Sequence, residues 1–454
     1  MAGCKKSGGR VMGIKVAKFG GSSVADGIQL TKTKEIIRHD PDRKYIVVSA
    51  PGKRFEGDSK ITDILYLCKT HIEHNLPYDQ LFQVVADRYM AVEINLGVKV
   101  DLLKHFDEIR ENLRNNPSAD YIASRGEYLN AILVAAFLDY DFVDTAGLIK
   151  FDAKGRLLME ETDDALREEL AKHERAVLPG FYGSTPDGKI KTFSRGGSDI
   201  TGALVARAVK ADVYENWTDV SGFLMADPRI VSNPKQIREI SYKELRELSY
   251  MGAGVLHEDA IYPARMANVP INIRNTNKPE DPGTFITAEV SESFENDENR
   301  IITGIAGNRD FTVVAIYKNM MSSERGFVRK ILDILDDFDI NFEHLPSGID
   351  TVSVVMSNKA INGRLEEVLD EFRARLRPDS IDVFEDMALI ATVGHGMSYR
   401  QGVSATLFEG LADAGVNIRM IEQGSSEMNI IVGVKNKDFE KAIRAIYRAF
   451  VGDE

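Results

Sequence analysis

The last third of the sequence repeats itself. FTVVAIY at 311–317 is answered by MALIATV at 387–393, GFVRKILDILDDFDIN at 326–341 by GVSATLFEGLADAGVN at 402–417, and TVSVV at 351–355 by EMNII at 427–431, always at an offset of 76 residues. Three elements in one constant register mark two copies of a single supersecondary unit. Each copy reads strand, helix, strand, strand, helix, with apolar positions such as Ile331, Leu332, Leu335 and Phe338 at helical spacing. The pattern predicts two small βαββαβ modules, around 311–380 and 387–454.

Upstream the pattern changes. Between Ile14 and about residue 290, the runs IKVAKF, KYIVVSA, DFVDT, AVLPGF, IKTFS, ADVYENWTDV and VPINIRNT read as strands, and residues 26–38, 79–114, 127–138, 163–172, 198–210 and 242–252 read as helices. Strands alternating with helices predict an α/β fold with a mostly parallel sheet. In such sheets ligands bind beyond the carboxyl ends of the strands, where the glycine motifs of this chain fall. The polar, acidic SESFENDENR (291–300) reads as a linker, which divides the chain into 1–295, with 1–12 as a flexible tail, and 296–454.

Charge and cysteine usage narrow the class. Against 57 lysines and arginines stand 70 aspartates and glutamates, a formal net charge of −13, which argues against nucleic acid or an anionic membrane as partner. Cys4 and Cys68 offer neither a disulfide framework nor metal-ligand spacing. The N-terminus lacks the apolar core of a secretory signal, and the longest apolar run, AILVAAFL at 131–138, is far short of a membrane span. We expect a cytoplasmic protein.

Four motifs carry chemistry. KFGGSS (18–23) ends a strand with a lysine, two glycines and hydroxyls. Either it is a tight strand-to-helix turn, or glycines admit a phosphate to the first helical N–H groups with Lys18 as counter-charge. SRGGSD (194–199) repeats the plan after IKTF, with Asp199 near a helix start, where a carboxylate also serves the helix dipole. Together the two loops could cradle a triphosphate and a second anion. SRGE (124–127) opens an apolar helix; Glu127 reads as a first-turn dipole residue or as an acceptor for a substrate ammonium. WTDVSGFLMADPRIV (217–231) holds the chain's single tryptophan with Thr218, Asp219, Asp227 and Arg229, although Asp-Pro-Arg also makes an ordinary turn. His71 and His74 lack a third ligand and read as surface residues.

In this order and nearly over the whole chain from residue 14, the motifs K18-F-G-G-S-S, R125-G-E, S194-R-G-G-S-D and W217-T-D-V-S-G with D227-P-R-I-V resemble those of the aspartate kinase family. NIRMIEQGSSEMNIIV (417–432) is similar to the second of that family's paired ACT domains. The resemblance implies an amino-acid-kinase three-layer sandwich followed by two ferredoxin-like ACT modules with a regulatory role. It implies phosphorylation of the L-aspartate β-carboxylate with ATP and Mg2+, no metal ligand being assigned to the protein. By motif, Lys18 would hold the transferring phosphoryl group, and Asp199 would orient that lysine or help organise magnesium. Arg195 would grip a substrate carboxylate and Glu127 its ammonium, Ser198 would add a hydrogen bond, and Ser49, Thr62 and Phe181 would complete the aspartate pocket. Gly20, Gly21, Ser22, Gly196 and Gly197 would contact phosphates, with Thr218, Asp219, Asp227 and Arg229 around the nucleotide.

In the first module Met321, Gly326, Phe327, Ser347, Gly348, Ile349 and Asp350 resemble positions that bind an end-product amino acid. Lysine is expected, threonine being the alternative, at a homodimer interface of the ACT domains that could extend to a higher oligomer. Where relatives carry a lysine before VLH, this chain has Gly254, and Lys53, Arg54 or Lys60 in a long 49–63 loop is expected to compensate. Without a dinucleotide-binding segment after the repeat, the expectation is a monofunctional enzyme. A catalytically silent amino-acid sensor and another small-molecule kinase of the same fold are the competing readings.

Overall fold

A computed structural model describes residues 13–115, 117–194, 196–253, 258–290 and 301–452. The expected tail, the expected linker, Arg195 and Gly254 lie outside the described residues. The chain divides into two compact units: 1–223 with 238–242 and 255–290, and 224–237 with 243–254 and 291–454. Two segments that the sequence reading grouped with the N-terminal part therefore count with the C-terminal unit.

The first unit is built on an eight-stranded sheet. Its strands are β1 (Lys15–Phe19), β2 (Arg43–Val48), β3 (Asp141–Phe142), β4 (Ala176–Pro179), β7 (Val213–Thr218), β8 (Glu239–Ser241), β9 (Ile271–Asn275) and β10 (Thr284–Thr287), in the order β3-β4-β2-β1-β7-β9-β10-β8. Only β9 and β10 pair antiparallel. A small hairpin, β5 (Tyr182–Ser184) and β6 (Ile190–Thr192), stands apart.

Helices α1 (Gly27–His39), α2 (Ile61–Glu73), α3 (Asp79–Leu96), α4 (Leu102–Arg114) and α5 (Ala119–Leu138) share one apolar core with Ala17, Phe19, Ile46, Val48 and Trp217. Because side chains alternate along a strand, Val16, Lys18, Val47 and Asn216 face the other way. There α6 (Met159–Leu170) packs on α7 (Gly197–Ala208), and α7 packs on β1, β2 and β7.

Three element expectations need correcting. The helix read over 79–114 breaks at Gly97, whose φ of 64° ends α3 as a left-handed cap. The helix read as starting at 127 starts at Ala119, capped by the Ser118 side chain. Residues 61–73, unassigned in the sequence, form α2.

In the second unit, helix α8 (Tyr242–Tyr250) lies mostly with the C-terminal residues, while α9 (Glu258–Met266) returns to the first unit. A five-stranded antiparallel sheet runs β12 (Thr351–Ser357), β11 (Gly304–Tyr317), β13 (Ser380–Val393), β15 (Asn429–Lys435), β14 (Met420–Glu422). The repeat extends further than the sequence reading placed it. β11 and β13 are both 14 residues long and pair along their length. Phe311–Tyr317 pairs with β12 and belongs to the first copy, whereas Gly304–Asn308 lies beside Val393–Leu389 and completes the second. In the middle of each strand an aspartate takes a left-handed conformation, Asp310 (φ 68°) and Asp386 (φ 63°), again 76 residues apart. The second module thus draws its last strand from ahead of the first. Helices α10 (Phe327–Asp337), α11 (Asn358–Ile361) and α12 (Leu365–Glu371) lie in the first copy, and α13 (Val403–Asp413) and α14 (Phe439–Val451) in the second.

Candidate active site

In the parallel register of β1 and β7, Lys18 lies opposite Asn216. Both are buried, at 7% and 3% exposure. A lysine so placed needs a partner, because a charge taken out of water is costly unless paired. The partner is Asp199, in the first turn of α7: its Oδ1 lies 2.6 Å from the Lys18 Nζ and accepts from the Asn216 Nδ2 at 2.9 Å. The Tyr214 hydroxyl donates to the Asp199 carbonyl at 3.0 Å and fixes that turn against β7. Asp199 is therefore more than a dipole residue, since its carboxylate is aimed at the lysine. Asn216 was not singled out in the sequence. Its signal was an amide beside Glu215 and Trp217 in what reads as a strand.

The loops above this triad are held backbone to backbone. The Gly20 N–H donates to the Trp217 carbonyl at 3.0 Å, and the Gly52 N–H donates to the Gly21 carbonyl at 2.8 Å. A Cβ on Gly52 would stand 2.7 Å from the Gly21 carbonyl carbon. Buried Arg88 of α3 ties down the same loop, donating to the carbonyls of Gly52 and Ser59, the latter at 2.7 Å. Ser22 is exposed, whereas Ser23 is turned inward, its hydroxyl 2.7 Å from that of Thr276. Gly52→Ala is expected to destabilise by about 1–3 kcal/mol through overpacking. A lowered melting temperature together with a raised KM for ATP would be the signature.

Glu127 sits in the third turn of α5, so the first-turn dipole explanation does not apply. It is 5% exposed, and its Oε2 has no hydrogen-bond partner among the described residues. Burial pushes its carboxyl up to about 8, against the opposing pull of the Ala50 backbone N–H, Arg125 and Lys18. A buried carboxylate with one oxygen unclaimed is suited to an incoming cation. One turn on, Asn130 donates to the Ser49 carbonyl at 2.7 Å, which joins α5 to the end of β2. Gly126 permits this approach: a Cβ there would be 2.8 Å from the Ala50 Cβ. Arg125, by contrast, is enclosed by Tyr121, Tyr128 and Tyr182, with its guanidinium 4.5–5.4 Å from their ring centres, and reads as structural.

Phe181 follows β4 with a φ of 82°, a conformation that costs a non-glycine residue about 1–3 kcal/mol. Its N–H donates to the Thr201 hydroxyl at 3.0 Å, and a Cβ on Gly197 would meet its ring at 2.5 Å, so the start of α7 and the Phe181 loop are packed together. Ser198, buried, lies against Gly180, and Gly196 (φ 58°) precedes α7 as a left-handed cap. Thr62 is the second residue of α2. Thr218 ends β7 and donates to Asp219 at 3.1 Å. Asp227 and Arg229 fall in the other unit and pair with each other, the guanidinium holding the Asp227 carboxyl below its ordinary range. Of the three candidates to replace the missing lysine, Arg54 is bound to Asp58 through two hydrogen bonds of 2.9 and 3.0 Å, while Lys53 and Lys60 are exposed.

Residues 13–275 match the amino acid kinase family, and residues 390–450 match an ACT domain. Aspartokinase 3 of Bacillus subtilis is 37% identical over 96% of this chain and 98% of its own. The chain belongs to the aspartokinase family. It is an aspartate kinase with a C-terminal ACT region. The crystal structure of the Clostridium acetobutylicum aspartate kinase is similar at a TM-score of 0.90 and 50% identity, covering 96% of this chain and all of that one (100%). Aspartokinase III of E. coli, solved with aspartate and ADP in an R-state, has a TM-score of 0.70 at 25% identity over 96% of this chain and 99% of its own. The same enzyme with lysine and aspartate, in a T-state, has a TM-score of 0.71.

The effector candidates divide by where their side chains go. Met321 and Phe327 are buried in the core of the first ACT copy. The Ser347–Asp350 loop is exposed and joined by backbone to the loop after β11: the Lys318 N–H donates to the Asp350 carbonyl at 2.9 Å and the Ser322 N–H to that of Ile349 at 3.2 Å. Gly326 (φ 76°) caps α10.

Proposed function

We propose that the chain transfers the γ-phosphoryl group of ATP to the β-carboxylate of L-aspartate, giving 4-phospho-L-aspartate and ADP, as the first step towards lysine, threonine and methionine. The observation that carries this reading is the Lys18–Asp199–Asn216 triad at the carboxyl ends of the central strands, with the unclaimed Glu127 carboxylate on helix α5 of the same unit. A carboxylate oxygen of aspartate attacks the γ-phosphorus, the bond to the bridging oxygen breaks, and ADP leaves. No base is needed, because the attacking carboxylate is already ionised at neutral pH. The protein supplies alignment and charge.

Lys18, oriented by Asp199 and Asn216, neutralises the transferring oxygens. The backbone of Gly20, Gly21, Gly196 and Gly197 admits the phosphates, and Thr218 and Asp219 border the nucleotide, with Asp227 and Arg229 assigned there by motif. Glu127 receives the ammonium of aspartate, and Ser49, Thr62, Phe181, Arg195 and Ser198 shape its pocket. Magnesium would arrive with the nucleotide and neutralise phosphate charge; among the described residues there is no cluster of three ligands to hold an ion independently, and Asp199 is the carboxylate that fits it.

The regulatory half is proposed to bind lysine, with threonine as the alternative, at the joined 318–326 and 347–350 loops, where exposed Asp350 suits a cationic amino acid. With Met321 and Phe327 turned inward, their share in that pocket is limited to backbone. A cytoplasmic homodimer through the ACT copies completes the proposal; no helix among the described residues is long and apolar enough to cross a membrane.

The deciding assay is trapping of the acyl phosphate as a hydroxamate from L-aspartate, ATP and magnesium. Product formation is expected. Folded protein that yields none would favour the amino-acid sensor. Calorimetry with lysine should show saturable binding and the assay should show inhibition; heat from threonine alone would move the effector assignment to threonine.

A further inference from the structure

On the face of the sheet opposite Lys18, a cavity of about 670 Å³ opens between α1 and the loop after β9, within the size range of small-molecule sites. Its floor is Trp217, 1% exposed and stacked on Phe19 at a ring separation of 5.9 Å. Two of its cations are already matched: Lys15 pairs with Asp40 at 2.7 Å and Arg43 with Glu215 at 2.6 Å. Two others make no salt bridge within 4 Å among the described residues, although Glu215, Asp40 and Asp281 act on Arg274 from further off. Lys32 reaches only the Asn277 side-chain oxygen, at 3.1 Å. Arg274, opposite Trp217 in the β7–β9 register, lies 4.6 Å above the indole and donates to the Pro279 carbonyl, while its Nε is buried without a partner among the described residues.

Apart from Trp217, no motif residue lines this cavity, and Lys18 points away from it. A buried guanidinium donor left unsatisfied is destabilising unless something binds it. Burial already draws the Arg274 guanidinium below its ordinary value, and a bound anion would oppose that shift. Exposed Glu35 and Glu280 at the rim disfavour an extended polyanion. We propose that this cavity is a binding site for a compact oxyanion, the phosphate or carboxylate of a small metabolite, held between Arg274 and Lys32 above Trp217.

The site has a path to the catalytic side. The Thr276 N–H donates to the Thr218 carbonyl at 2.9 Å, and the Thr276 hydroxyl meets that of Ser23 at 2.7 Å. The wall of the cavity is thus bonded to the strand end and to the loop that flank the proposed nucleotide site. An occupant displacing the 276–280 loop would be felt there as a change in KM for ATP.

Trp217 is the chain's only tryptophan, so intrinsic fluorescence reports the cavity directly. The full-length protein, saturated with ADP to block the catalytic cleft, is titrated with inorganic phosphate, and separately with acetate, at constant ionic strength set with chloride. A saturable change in emission is expected with at least one of the two, and which one saturates identifies the anion class. Lys32→Gln, at a half-buried wall position, should weaken it about tenfold, and Arg274→Gln should abolish it. Arg274→Lys, which keeps the charge but not the fork, should respond weakly and serves as the folded control. Lys18→Met should leave the change intact. The proposal is overturned if neither anion saturates, if the response survives both Lys32→Gln and Arg274→Gln, or if it disappears in Lys18→Met.

Discussion

Replacing Lys18 by methionine is expected to lower kcat by about 10²–10³-fold, the loss typical of removing one preorganised group that stabilises transition-state charge. The position invites such a large effect. The lysine is buried between two central strands and its Nζ is fixed by Asp199 at 2.6 Å, so no reorganisation is needed when charge develops on the transferring group. Methionine keeps the aliphatic stem but leaves the Asp199 carboxylate without its cation, so the melting temperature should fall as well, and kcat is read on protein shown to be folded. Asp199→Asn should give a smaller loss in kcat, because the lysine stays but loses its orienting partner. Steady-state kinetics on both variants test this; a Lys18→Met enzyme within threefold of the parent would remove Lys18 from the chemistry.

The second large effect is on pH. In the free protein the Glu127 carboxyl ionises only near 8, whereas the ordinary value is 4.5. In its proposed role Glu127 receives the substrate ammonium best in the ionised form, so binding of aspartate is expected to release a proton at neutral pH. The kcat/KM for aspartate is therefore expected to rise from pH 6 to about 8 and then to level. Glu127→Gln should flatten that limb and raise KM about 10–100-fold at pH 8, the contribution of a hydrogen bond to a charged group. Stability should move the opposite way. Between pH 4.5 and 8 the unfolded chain loses the Glu127 proton while the folded one retains it, so the ligand-free protein loses stability as pH rises through that window. Thermal melts should show aspartate stabilising the parent more at pH 8 than at 6.5. An unchanged limb in Glu127→Gln would assign the titration elsewhere.

How much of this was legible in the residues follows a physical line. Lys18, Asp199 and Glu127 could be singled out because charged residues beside glycines, at a strand end or within a helix, are local patterns. What those charges touch was not local. Asn216 is 198 residues from Lys18 in sequence, and only the pairing of β1 with β7 brings the two together. Gly52 and Arg88 escaped for the same reason: a glycine that admits another glycine's carbonyl, or an arginine that bonds two carbonyls of a distant loop, has no periodic signature. Glu127 was misjudged in its setting. The polar first turns of α5 hid a helix start eight residues earlier, where Ser118 caps it. In the C-terminal part the offset of 76 gave the modules but not their boundary, since Gly304–Asn308 completes the second copy from in front of the first.

That crossing of strands has a mechanical meaning. Each of β11 and β13 is one backbone shared by both copies within a single sheet, about 45 Å of continuous strand at roughly 3.3 Å per residue. Among the described residues both strands run unbroken from one copy to the other, interrupted in their pairing near Asp310 and marked by the left-handed aspartates 310 and 386. A twist imposed where the 318–326 loop leaves β11 would travel along that strand into the second copy's half of the same sheet, as torque passes along a shaft. The two copies should also be inseparable on melting, because a cut between 318 and 379 leaves each of them one strand short. A regulatory region built this way behaves as a single rigid transmission element rather than as two sensors side by side.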